Sequence, residues 1–95
     1  MKIEIRNNAR LPKSWIRFIK WKLHRVKKKF HQLIYVEIFL NSEGQSPKTY
    51  IAKIRLGIPG NDIIIQNKST NLGEVFRKSL DAAHRGLAKN KSSKS

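Results

Sequence analysis

The chain has 95 residues, enough for one domain with one modest core. Its formal net charge is +15, from 21 Lys plus Arg against 6 Asp plus Glu, which points to a polyanionic partner and does not choose a fold. There is no Cys, hence no disulfide framework and no thiolate chemistry, and no stretch approaches the ~20 apolar residues of a membrane span.

The opening Met1-Lys2-Ile3-Glu4-Ile5-Arg6 alternates apolar and polar residues. It reads as a strand over 2–6, not as a signal peptide, and a cytoplasmic location is expected. Residues 7–11 form a link. Pro12 suits the first turn of a helix, where its missing N–H costs nothing. From there Ile16, Ile19, Leu23, Val26 and Phe30 fall on one stripe, with Trp15 at its edge, so the spacing predicts a helix over 12–30.

Residues 33–40 are rich in β-branched and aromatic side chains and predict a second strand. Gly44 and Pro47 mark residues 41–48 as a polar turn. Residues 49–56 alternate again, with Tyr50, Ala52, Ile54 and Leu56 on one face. Residues 57–62 are a turn cluster and 63–66 a short fourth strand. Asn71 caps a second helix, with Glu74 completing a capping-box-like pair. Its buried stripe is Leu72, Phe76, Leu80, Ala83 and Leu87. A domain over 1–91 is expected, with fraying from Asn90 and a flexible basic tail at 92–95.

The order is β-α-β-β-β-α. A right-handed crossover makes the first two strands parallel, and the short turns make the rest an antiparallel meander. The fold class is therefore α+β: a two-layer domain with a four-stranded mixed sheet and both helices on one face, like double-stranded-RNA-binding domains.

The charge is unevenly placed. Between Glu4 and Glu37 there is no acid, and ten basic residues stand there: Arg6, Arg10, Lys13, Arg17, Lys20, Lys22, Arg25, Lys27, Lys28 and Lys29. A solvated helix usually mixes signs, because opposite charges three or four residues apart support it. A helix of one sign points to nucleic acid or an acidic membrane. Trp21 falls opposite the apolar stripe with Arg17, His24, Arg25 and Lys28 around it, where it can stack on a base or pack on a neighbour. Phe18 sits at the flank and reads as semi-buried. On the second helix Lys78, Arg85 and Lys89 lie on one side and Arg77, His84 and Lys91 on the other. Asp81 is placed to pair with Arg77 or Arg85.

Catalysis finds little support. Ser79, Asp81 and His84 contain triad residue types but crowd one helix and cannot converge. His24, His31 and His84 have no metal-ligand spacing with any partner. Gly57-Ile58-Pro59-Gly60 lacks the Gly-Lys-Ser/Thr and the following helix of a phosphate-binding loop. Glu43-Gly44-Gln45 lacks the first Gly of the Gly-Gly-Gln tip of peptide-release proteins. The sequence reads as a non-enzyme without cofactor, metal or small-molecule substrate.

Taken whole, the chain resembles the ribosome hibernation-promoting factors, also called ribosome-associated inhibitor A or sigma-54 modulation proteins. Met1-Lys2-Ile3-Glu4-Ile5 is similar to that family's first strand. Phe18-Ile19, Leu23, Val26 and Phe30 follow its first helix, and Gly60-Asn61-Asp62-Ile63 its third-to-fourth strand turn. Arg85-Gly86-Leu87-Ala88-Lys89-Asn90-Lys91 is similar to its Arg-Gln-Leu-x-Lys-x-Lys ending, in which Gly86 replaces the Gln. Asn71 and Gly73 replace an Asp and a Tyr, and Lys27, Lys28 and Lys29 are more basic than the family pattern. The resemblance is to the short form, without a C-terminal dimerisation domain.

It implies a translation inhibitor of stationary phase and stress. Such a protein binds the small ribosomal subunit on its 16S rRNA near the decoding centre and blocks mRNA and tRNA sites. The chain itself is expected to be a monomer when free. Residues and resemblance together give an RNA-binding set of Arg17, Trp21, Lys22, Arg25, Lys28, Lys29, Lys78, Arg85, Lys89 and Lys91. The alternative is a duplex-RNA-binding or structural ribosomal protein on a related scaffold. Against the duplex-binding module stands the helix opening Leu72-Gly73-Glu74, where that module carries Lys-Lys. A membrane-surface role would turn the apolar stripe to lipid and uncover the sheet, and no membrane partner is expected.

Overall fold

The computed structural model describes residues 1–92, with side chains through Lys89. Six elements follow in order: β1 (Lys2–Asn7), α1 (Lys13–Lys29), β2 (Tyr35–Glu43), β3 (Thr49–Ile58), β4 (Asn61–Ser69) and α2 (Leu72–Ser92). The sheet order is β1-β2-β3-β4. β1 runs parallel to β2, and β2, β3 and β4 form an antiparallel meander, as the element order dictates.

Alternation along the strands divides the sheet. Val36, Ile38 and Leu40 of β2 and Ala52, Ile54 and Leu56 of β3 are buried and form one core with Ile19, Leu23 and Val26 of α1 and Val75, Phe76, Ala83 and Leu87 of α2. Both helices therefore cover the same face. At ~25 cal/mol per Å², each fully buried Leu or Val contributes about 1.5–3 kcal/mol before chain entropy is set against it. Ser79 is also fully buried, and its hydroxyl accepts from Asn67 Nδ2 at 3.3 Å. That bond gives the buried hydroxyl a polar partner under α2.

The links are specific. Asn7 clamps the β1–α1 connection: its Nδ2 donates to Leu11 O at 2.9 Å, and its Oδ1 accepts from Leu11 N at 3.0 Å. Inside that clamp Arg10 takes a left-handed φ of 56°. Pro59 and Gly60 make a two-residue turn, and Gly60 sits at φ 81°, a conformation open to glycine at little cost. Asn71 caps α2 through Oδ1 to Glu74 N at 3.0 Å. The capping box is only half formed, because Asn71 N donates to Ser69 Oγ and the Glu74 carboxylate turns to Lys78.

Several boundaries differ from the sequence reading. β1 runs one residue further, to Asn7, α1 spans Lys13–Lys29 instead of 12–30, and β3 continues through Gly57 and Ile58, expected in the turn cluster, because both pair with β4. β2 starts two residues later than expected and runs on to Glu43, since Asn41, Ser42 and Glu43 pair with Ile51, Tyr50 and Thr49. β4 spans 61–69 instead of 63–66, because pairing with β3 outweighs the poor strand propensity of Asn67, Lys68 and Ser69. α2 continues through Ser92 where fraying from Asn90 was the expectation; Ala88 and Lys89 are good helix formers. The rest of the expected tail, 93–95, lies outside the described residues.

Candidate nucleic-acid interface

α1 carries Lys13, Arg17, Lys20, Lys22, Arg25, Lys27, Lys28 and Lys29 and no acid. Among the described residues none of these cations is ion-paired; the four ion pairs lie on the sheet and on α2. α1 and α2 lie side by side on the sheet, and a groove runs between them. Its floor is apolar: Trp15 and Val26 from α1, Phe76 and Leu80 from α2. Along its α1 rim stand Lys22, Arg25, Lys28 and Lys29, and along its α2 rim Arg77 and His84. Asp81 is the acid lining it, 3.7 Å from Arg77.

A ladder of rings climbs out of this floor. Trp15 stacks on Phe76, centroids 5.3 Å apart at 28°, and meets Phe18 edge-on at 6.0 Å. Phe18 lies 6.4 Å from Trp21. Residues three apart lie on one helix side, each step carrying the ring further from the buried stripe. Phe18 is accordingly 39% exposed and Trp21 52% exposed. The Arg25 guanidinium lies 5.0 Å from the Trp21 centroid, and Lys22 Nζ lies 5.5 Å from it and 5.7 Å from that of Phe18. Such contacts contribute roughly 0.5–1 kcal/mol at exposed sites.

The structure thus gathers Trp21, Lys22, Arg25, Lys28 and Lys29 of the expected set. Arg17 and His24, expected around Trp21, are exposed but do not line the groove, and Phe18 is more open than its semi-buried reading. Lys78, Arg85 and Lys89 are exposed on α2 outside the groove, and Lys78 donates to Glu74 at 2.8 Å. That hydrogen bond, with the Lys78 charge, lowers the Glu74 pKa. The Lys91 side chain lies outside the described residues. Trp15, Phe18, Arg77 and His84 are groove residues that the expected set omits. The sequence had Arg77 and His84 on a common side of α2, but only the packing shows that this side meets α1. Lys27 plays a different part. Its Nζ donates to His31 O at 2.8 Å and Leu33 O at 2.6 Å, closing the end of α1. Among the described residues, no three His, Asp or Glu side chains gather to hold a metal.

No family model matches the sequence, and no curated protein sequence matches it. Solved structures do. A ribosomal subunit interface protein from Coxiella burnetii superposes with a TM-score of 0.83 at 17% identity, covering 97% of this chain and 99% of that one. The N-terminal domain of Protein Y from Thermus thermophilus gives 0.74 at 16% identity, covering 93% of each. This chain shares its fold with the ribosomal subunit interface proteins. Both neighbours are hibernation-promoting factor family members, the family the sequence resembles. Set on that shared fold, the Gly86 departure has a steric reading: a Cβ there would stand 3.3 Å from Ile63 Cγ2 of β4, so α2 rides close on the sheet.

Proposed function

We propose that this protein is a ribosome hibernation factor. It binds the small ribosomal subunit on its 16S rRNA near the decoding centre and blocks the mRNA and tRNA sites, in the cytoplasm and as a monomer. The observation that carries this reading is the one-signed helix α1, built on a fold shared with a ribosomal subunit interface protein. Charge at spacing suits a folded RNA backbone, since phosphate contacts position without a base code. The contact set is Lys22, Arg25, Lys28 and Lys29 with Arg77, joined at the periphery by Arg17, Lys78, Arg85 and Lys89; Lys91 belongs to the set on its sequence position alone. The protein should pellet with small subunits through a sucrose gradient and be released by salt. For duplex DNA, 6–10 phosphate contacts weaken binding by about 10³–10⁵ between about 50 and 200 mM salt. Retention that stays flat across that range would rule out a phosphate-dominated interface.

A further inference from the structure

A polyanion satisfied by charge alone would need no rings, yet the groove places two half-open aromatic rings among its cations. A phosphate in its floor would lose water against Trp15, Phe76 and Leu80 and meet the Asp81 carboxylate, both unfavourable. A base has the opposite needs. Its faces are apolar and stack on rings, and its amino and imino N–H groups donate to a carboxylate. We infer that the groove takes an unpaired RNA base stacked against Phe18 and Trp21, with the flanking phosphates on the Lys and Arg of the α1 rim. Asp81 and Arg77 stand where the base edge would enter. A duplex cannot serve as well, because it hides its base faces. This refines the ribosome reading by selecting unpaired over paired segments of the RNA, and it rests on that reading only for the RNA's origin.

Trp15→Phe keeps a ring on Phe76 and leaves Trp21 as the only indole, so fluorescence then reports Trp21. Into this protein an oligoadenylate of about ten nucleotides, within the span of single-strand sites, is titrated beside an RNA duplex of mixed sequence. The strand should quench Trp21 and the duplex should not. In the otherwise unchanged chain, Trp21→Leu and Phe18→Leu should each weaken the strand by roughly 5- to 150-fold, read by anisotropy of a labelled strand, and leave duplex binding unchanged. Thermal unfolding confirms that each variant is folded. Equal quenching by strand and duplex, or unchanged strand binding in both folded variants, overturns the groove. Small-subunit co-sedimentation of the same proteins separates the two readings. Quenching by the strand in a protein that never pellets with subunits supports the groove and overturns the ribosome reading. Pelleting without quenching does the reverse.

Discussion

The two faces of this domain handle charge in opposite ways. On the open face of the sheet, opposite signs meet. The row Glu4, Glu37, Arg55 and Ile64 and the row Arg6, Phe39, Lys53 and Gln66 lie side by side across the strands. Arg6 Nε stands 3.3 Å from Glu4 and Arg55 3.7 Å from Glu37, and Arg6 also caps the Phe39 ring at 5.5 Å. Tyr35 lies across Gly57 and donates to Asp62 Oδ2 at 3.0 Å. On the helix layer α1 has no acid to answer its cations, and α2 pairs two of its own internally. One face pairs its charges within the chain; on the other, the α1 cations have no ion-pair partner among the described residues. Exposed pairs add at most about 1 kcal/mol each, so the sheet's arrangement matters less for stability than for leaving that face nearly neutral.

The sharpest way to break this contrast is charge reversal. Lys22→Glu with Arg25→Glu should lower small-subunit binding by ~100-fold or more, two charge-assisted contacts of about 1.5–3 kcal/mol each. Lys53→Glu with Arg55→Glu, on the sheet, should change it far less in the same sedimentation assay. If the sheet pair does more damage, the interface is on the wrong face.

A stability measurement sharpens the contrast from the other side. A Cβ at Gly57 would stand 1.9 Å from the Tyr35 ring, so Gly57→Ala must push the ring off the sheet and break its bond to Asp62. A loss of about 1–3 kcal/mol in chemical denaturation is expected, with binding per folded molecule intact. Unchanged stability would mean the ring has room to move.

The smallest effects are in pH. Donation to Asp62 raises the Tyr35 pKa above its ordinary 10.0, with desolvation second. The folded state then favours the protonated phenol, so its contribution is whole below the unfolded value and is lost as pH rises through the raised one. Glu74 is opposite in sign: its pKa is held below 4.5 by the hydrogen bond from Lys78, and its contribution fades as pH falls through the lowered value. Tyr35→Phe should flatten only the alkaline limb of a stability–pH curve and Glu74→Gln only the acid limb. Either variant altering both limbs would assign the dependence to other groups.

Much of this was readable in advance, for local reasons. Period alone marked Ile19, Leu23 and Val26 as buried on α1, and alternation marked Ala52, Ile54 and Leu56 on β3. Trp21 is exposed as its helix position required. What the wheel could not give was the direction in which α1 leans. Lys27, Lys28 and Lys29 look alike in the sequence, yet one closes a helix end and two line a groove. Arg77 and Lys78 are neighbours too, and only the first faces α1.

The sequence by itself therefore determined the element order, the mixed sheet, the buried stripe of α1 and the all-basic helix, because each depends on contacts within a few residues, on short turns or on the helical crossover from β1 to β2. On α2 it placed Phe76, Ala83 and Leu87 correctly, but the structure buries Val75 and Ser79 and leaves the expected Leu72 and Leu80 only partly covered. The tertiary structure alone decided which flanks of the two helices meet. A groove is a relation between surfaces far apart in the chain, and its geometry comes from how α1 and α2 settle side by side on one sheet face, with Trp15 stacked on Phe76.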